Sequence, residues 1–149
     1  MKRAFTLIEL LIVISIIAIL AATIIPNFIG FDTEARITAT KSNLDTLRTR
    51  ISLFRAKEGK YPDSLKELLD KTYFDVGVKR AYLDKMPMEM ISVKGGSNEF
   101  VDIISTETPL NPQVGGWIYY TDRAEIHVNI TEPLDKKWGE YDGQKPIEW

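Results

Sequence analysis

The sequence predicts an α+β chain: one long N-terminal α-helix, its first half inserted in a membrane, packed on a C-terminal antiparallel β-sheet of about three strands. Three observations carry that prediction. Phe5 to Ile25 is a run of 21 residues in which only Glu9 is charged, enough for the ~20 helical residues that cross a hydrocarbon core. Ile37, Thr40, Leu44, Leu47, Ile51 and Phe54 recur at steps of three and four, the stripe of a helix with one covered face. Glu125 to Ile130 alternates polar with apolar, as a strand does when one face is buried.

With 149 residues the chain is of single-domain length, and 44% hydrophobic with 27% charged residues excludes a disordered or collagen-like chain. The average hides a greasy stem followed by a mixed, soluble-type body. Nineteen Lys+Arg against 21 Asp+Glu leave no basic excess to neutralise phosphates, so nucleic-acid binding has no compositional support. The absence of cysteine excludes disulfides, thiolate metal sites and cysteine nucleophiles.

Lys2 and Arg3 precede the stem and stay cytoplasmic by the positive-inside rule, which exports the body. A cleaved secretory signal needs small residues at −3 and −1. Around Ala18 to Thr23 nearly every such pair contains a large residue, and apolar character continues through Ile29 and Phe31. A plain uncleaved anchor has no use for Glu9, since a carboxylate in mid-membrane costs about 2.5–3.5 kcal/mol.

Ala4-Phe5-Thr6-Leu7-Ile8-Glu9-Leu10-Leu11 resembles the processing and methylation motif of type IV pilins and type II secretion pseudopilins, the type IV filament superfamily. The resemblance implies a pilin-like fold. It also implies cleavage by a prepilin peptidase between Ala4 and Phe5 and methylation of the new Phe5 amine. Ala4 stands where glycine is commoner in that family. Without Lys2 and Arg3, 17 basic residues face 21 acidic ones, a net charge of −4. The resemblance makes Phe5, Thr6, Glu9 and Pro26 the assembly residues. Glu9, about 6 Å along a helix from Phe5, is expected to be an unpaired charge that answers the amine of a neighbouring subunit. The alternative is a Glu9 that snorkels to the interface or is protonated. Pro26 either ends the membrane helix or, as in the family, lies within one long helix.

The implied organisation is a leader over 1–4, a transmembrane and filament-core helix over 5–31, and an exported α+β body over 32–149. The implied partners are identical or homologous subunits, the prepilin peptidase, an inner-membrane assembly platform and the membrane itself. The implied location is the inner membrane, single-pass, with the body outside the cytoplasm, and then a periplasmic or cell-surface filament.

Past the stem, Gly59 is expected to end a helix that is about 80 Å long if continuous from Thr6 to Glu58. Lys41 and Asp45 are spaced i,i+4 on its polar side. Ser64-Leu65-Lys66-Glu67 reads as a capping box opening a short helix with Leu65, Leu68 and Leu69 inward, and Tyr61-Pro62 before it resembles the same segment of pilin-like proteins. From Lys71 to Met90 only a packed loop with Tyr82, Leu83, Met86 and Pro87 is expected. Phe100, Val101, Ile103 and Ile104 suit one strand. Gly115-Gly116 introduces a second, Trp117 to Tyr120, which a turn at Asp122-Arg123-Ala124 joins to Glu125–Ile130 in a hairpin. The tail from Thr131, with Trp138, Tyr141 and Trp149, is expected to wrap the body or to contact a neighbour.

Candidates for chemistry are few. His127 is the one histidine and sits on the polar alternation of its strand, as a surface residue would. Gly95-Gly96 and Gly115-Gly116 lack phosphate-loop spacing. Asp135, Glu140 and Asp142 are weak candidates for calcium, which prefers carboxylate oxygens, but the Asp-Pro-Trp-Gly type sequence of calcium-binding pseudopilins is missing. No cofactor and no catalytic residue is expected. The reading is a structural subunit of a type IV pilus-like filament, with a type II secretion pseudopilin as the alternative and a membrane-anchored enzyme or binding domain as a remote one. The missing calcium sequence favours the pilus; the compact body without a disulfide suits the pseudopilin.

Overall fold

In the computed structural model, which describes residues 5–92, 95–103 and 115–149 and only the backbone of 25–31, stem and stripe form one helix, α1 (Leu7–Glu58). Its 52 residues make it about 78 Å long, well over twice a hydrocarbon core. Pro26 lies inside it and does not end it. The proline has no N–H to offer the Ala22 carbonyl one turn back, so the ladder is one bond short at the junction of stem and body. Gly59 terminates α1 as expected: at φ 78 its N–H donates to the Arg55 carbonyl at 2.9 Å, in a left-handed conformation that costs glycine nothing.

The two halves of α1 have opposite fates. Leu7–Ile24 forms an apolar window in which no residue is buried, while Ile37, Leu44, Leu47, Ile51 and Phe54 all lie in the core. Thr40, the polar member of the stripe, is buried but satisfied, donating to the Arg36 carbonyl and accepting the Met90 N–H, both at 2.9 Å.

After the turn at Pro62 comes α2 (Lys66–Asp70), with Leu65 and Leu68 buried and Leu69 partly so. The capping box expected there does not form. Ser64 Oγ accepts the Lys66 N–H at 3.1 Å rather than that of Glu67. The decisive cap comes from Asp102, whose carboxylate accepts the Leu65 N–H at 3.0 Å and the Ser64 hydroxyl at 2.5 Å. Glu67 turns instead to Lys71, 3.1 Å away.

Two strands occupy the stretch where only a loop was expected: β1 (Thr72–Asp75) and β2 (Val78–Ala81) pair antiparallel around Val76-Gly77. Tyr73 stacks on Tyr82 at 4.8 Å and Tyr82 on Phe54 at 4.9 Å, which ties this hairpin to the far end of α1. Tyr82, Leu83 and Met86 are buried, as expected.

The main sheet contains β3 (Phe100–Ile103), β4 (Trp117–Tyr120) and β5 (Glu125–Val128) in that order, giving the α+β arrangement and the three strands expected. The β4–β5 hairpin is antiparallel, with Trp117 opposite Val128. The β3–β4 pair is parallel, Phe100 opposite Trp117, which corrects the all-antiparallel expectation. A parallel pair needs a crossover of about a dozen residues or more, and 104–116 supplies 13. Ile104 lies outside the described residues, as do Met1 to Ala4.

Trp117, Tyr119, Ile126, Val128 and Ile130 meet the α1 stripe in one core. Polar atoms at its margin are placed individually: Tyr119 donates its hydroxyl to the Pro62 carbonyl at 2.9 Å, and Trp117 its Nε1–H to the Pro87 carbonyl at 2.7 Å. Burial and the nearby Asp102 carboxylate push the Tyr119 hydroxyl up to about 12.

Glu89 is a fully buried carboxylate that no sequence pattern announces. It has no cation partner among the described residues. Its oxygens accept the N–H groups of Ile91, Ser92 (2.8 Å) and Gly116 (3.2 Å). At Gly116, φ 78, a Cβ would collide with the Glu99 carbonyl, so the approach to β4 requires glycine. Gly115-Gly116 is thus a close-packed entry to a strand as well as a turn.

Candidate assembly site

Thr6 caps α1 with extended backbone, φ −84 and ψ 149. Its Oγ1 accepts the Glu9 N–H at 3.3 Å and donates to Glu9 Oε2 at 2.7 Å, while its backbone N–H also reaches Oε2, at 2.9 Å. This is a capping box, with one orphan donor satisfied in each direction. A carboxylate in the first turn is further favoured by the partial positive charge of the helix N-terminus. Within the single chain Glu9 is thus hydrogen-bonded to Thr6, and among the described residues no cation answers its charge. The pairing is one-sided: Oε2 takes both donors, and among the described residues nothing meets Oε1. Thr6-Leu7-Ile8-Glu9 has the same spacing as Ser64 to Glu67, and that spacing was the signal for a cap at this helix start.

Phe5 precedes the cap and is 72% exposed, so its backbone nitrogen stands at the start of the helix within one turn of Glu9. Ala4, the other side of the expected cut, lies outside the described residues. Farther along the stem the polar side chains turn inward on the helix itself. Ser15 donates to the Leu11 carbonyl at 2.7 Å and Thr23 to the Leu20 carbonyl at 2.9 Å, which leaves these hydroxyls compatible with an apolar surrounding. Pro26 sits two residues beyond the window Leu7–Ile24, at the change from uncovered to covered helix.

The remaining candidates disperse. Asp135 caps a short 3-10 turn, Lys136–Tyr141, accepting the Lys137 N–H at 3.2 Å. Glu140 accepts a hydrogen bond from Tyr141, which raises that phenol. Among the described residues no three His, Cys, Asp or Glu gather to hold a metal, so Asp135, Glu140 and Asp142 do not converge on a calcium site. His127 is half-buried rather than a free surface residue. Its ring lies edge-on to Tyr120 at 5.8 Å, and its Nε2 is 3.9 Å from Glu125 Oε2. Lys41 does not pair with Asp45, which is 3.6 Å from Arg48. The Lys41 ammonium instead lies 4.8 Å and 4.4 Å from the Tyr141 and Trp149 rings, which binds the tail to α1, and Arg48 donates to the Trp149 carbonyl at 2.6 Å. The tail thus wraps the body, with Trp138 buried.

The family model for the prokaryotic N-terminal methylation motif matches residues 1–25. The type IV major pilin protein PilA of Myxococcus xanthus is 46% identical over 67 residues, 45% of this chain and 30% of that protein. A fimbrial protein of Pseudomonas aeruginosa is 32% identical over 106 residues, covering 70% of this chain and 68% of its own length. The type II secretion system core protein G of the same species is 27% identical over 95 residues, 59% and 67% of the two chains. No solved structure gives a significant match. Apolar stem, capped N-terminus, stripe under a sheet and these relatives agree: the chain belongs to the type IV filament superfamily of type IV pilins and type II secretion pseudopilins.

Proposed function

We propose that this chain is the structural subunit of a type IV pilus-like filament, held in the inner membrane by its N-terminal helix until a prepilin peptidase cuts between Ala4 and Phe5 and methylates the Phe5 amine. The observation that carries the proposal is the division of α1. Its second half is buried by the chain's own sheet, and its first half presents an uncovered apolar surface from Leu7 to Ile24. Covering that surface stabilises by roughly 25 cal/mol per Å². A lipid bilayer covers it before assembly and the stems of other copies cover it afterwards.

Within such a core Glu9 has two duties. Oε2 stays with Thr6, and Oε1, which meets nothing among the described residues, receives the charged Phe5 amine of a neighbouring subunit, so neither charge is left alone in an apolar medium. Pro26 supplies the place where α1 can loosen between stem and body. The body remains outside the cytoplasm, first periplasmic and then in the filament. Relatives in both branches keep a second reading in view, a pseudopilin of a type II secretion system, which uses the same stem and the same cut.

Intact-mass and N-terminal peptide analysis of protein recovered from filaments tests the reading. The expected mature chain begins at a methylated Phe5. A start at Ile24, or an intact Met1, contradicts it.

A further inference from the structure

The β1–β2 hairpin ends in an apolar tip that the chain itself leaves bare: Phe74, Val76 and Val78 are 71%, 97% and 55% exposed. Val76 sits at φ 48, the left-handed region, where a β-branched side chain is strained. A two-residue turn closed by Gly77 is ordinarily served by Asn or Asp before the glycine, which tolerate that conformation and prefer water. This fold instead carries a backbone penalty and an exposed valine together. Phe74 and Lys79 lie opposite each other across the strands and share one face, while Val78 lies with Tyr73 and Arg80 on the other. Apolar groups thus stand at the apex and on both faces. They make a convex point rather than a groove, with Val76 almost wholly clear of the body.

Positive charge surrounds this point. Lys79 and, on α1, Lys57, whose Nζ is 5.4 Å from the Tyr73 ring, have no acidic partner among the described residues, and Arg80 is 3.5 Å from Asp75. The wider charge pattern has the same sense. Residues 55–85, which hold the hairpin, α2 and the end of α1, carry eight basic and six acidic side chains, whereas 86–149 carry five and eleven. The basic part of an acidic chain is therefore the part that bears the bare apolar tip. The hairpin is tied through Tyr73 and Tyr82 to Phe54, which lies 30 residues beyond the end of the stem window at Ile24, about 45 Å along the helix. The tip thus stands well away from the bilayer that holds the stem.

We propose that the β1–β2 hairpin tip is a docking point for an anionic lipid surface, a second bilayer distinct from the one that holds the stem. A convex apolar apex suits a fluid that closes around it. Val76, Val78 and Phe74 enter the boundary between headgroups and acyl chains, where apolar side chains leave water. Lys79 and Lys57 stay at headgroup level, their long stems lying along the apolar surface while their ammonium groups meet lipid phosphates. The strained valine then has a use, since asparagine at the same place would relieve the turn and keep the apex in water. Nucleic acid is the less suited polyanion: the apex is aliphatic, and Tyr73, which could stack on a base, is turned onto Tyr82. The proposal needs the stem in a membrane and the body in water, and it needs no filament.

The test is capture of one vesicle by another. Full-length chain is reconstituted by its stem into vesicles of phosphatidylcholine, and fluorescent vesicles without protein are added, made either of phosphatidylcholine alone or of phosphatidylcholine mixed with phosphatidylglycerol. Capture is counted per body accessible to added protease. The expected result is capture of the anionic vesicles and not of the neutral ones, weakened by salt and by Lys79→Glu. Val76→Asn should raise the denaturation midpoint and yet lose most of the capture, whereas a merely structural valine would move both in the same direction. Phe74→Leu, which keeps an apolar side chain, should retain it. No capture by the parent chain, equal capture of neutral vesicles, or capture undiminished by Val76→Asn overturns the proposal, as does binding of single-stranded DNA in place of the vesicles. Because no filament is involved, such a failure leaves the filament reading where it stands.

Discussion

The Glu89 carboxyl group accepts the N–H of Gly116 at 3.2 Å across 27 residues of chain, so a buried acidic side chain with no cation partner among the described residues holds the start of β4. Three backbone donors, from Ile91, Ser92 and Gly116, meet its oxygens in place of a cation. Glu89→Ala strips all three, and each unsatisfied buried donor costs about 1–3 kcal/mol. The expected loss is roughly 3 kcal/mol or more in denaturant unfolding. Glu89→Gln keeps one oxygen for Ile91 and Ser92 but turns an NH2 toward Gly116. It should lose less, with the damage confined to faster amide exchange at Gly116 and Trp117.

Alkaline pH should weaken the body through Tyr119. Its folded-state value, raised mainly by burial to about 12, lies above the ~10 of an unfolded tyrosine. A group whose value is raised on folding contributes stability that is whole below the unfolded value and lost as pH rises through the folded one. The window is therefore about pH 10–12. Tyr82, raised by burial and by Glu58, acts in the same direction. Tyr119→Phe should be less stable than the parent at neutral pH, for want of the bond to Pro62, but should show a shallower alkaline decline. Melting temperatures of both chains from pH 8 to 11 decide it.

A truncated chain beginning at Asp32 should be a soluble, folded monomer, since the uncovered window is gone and the stripe from Ile37 to Phe54 keeps its sheet. Within it Leu47→Ala should cost about 2–5 kcal/mol, the usual range for a buried leucine. An unchanged denaturation midpoint would mean that the stripe is covered by something other than this body.

How far the fold was legible depended on how local its causes are. The stripe and its stop at Gly59 were readable because helix period and a left-handed cap are properties of neighbouring residues. The β4–β5 hairpin was readable because Ile126, Val128 and Ile130 alternate. The β1–β2 hairpin was not, since it is short and mostly exposed and so carries no alternation. Its one signal was Val76-Gly77 between two β-prone stretches. The parallel sense of β3 and β4 is a long-range pairing that no local pattern encodes, and the cap of α2 comes from Asp102, 38 residues from Ser64. Glu89 had no signature, because backbone amides that satisfy a carboxylate can come from any residue type. At the assembly site the types and spacing of Phe5, Thr6 and Glu9 are visible in the sequence, and the bond between Thr6 and Glu9 follows from the same Thr-x-x-Glu spacing.

The most direct measurement of the central claim is the fate of Glu9→Ala. The substitution removes a charge from an apolar helix, so insertion should be unchanged or improved. It also removes half of the capping box, which should fray the first turn at a cost of about 1 kcal/mol. Thr6→Val imposes a similar loss of the cap while keeping the carboxylate, and so separates fraying from loss of charge. The account predicts that membrane fractionation finds Glu9→Ala at normal levels in the inner membrane while electron microscopy finds few or no filaments, and that Thr6→Val still assembles. Normal filaments from Glu9→Ala would contradict it.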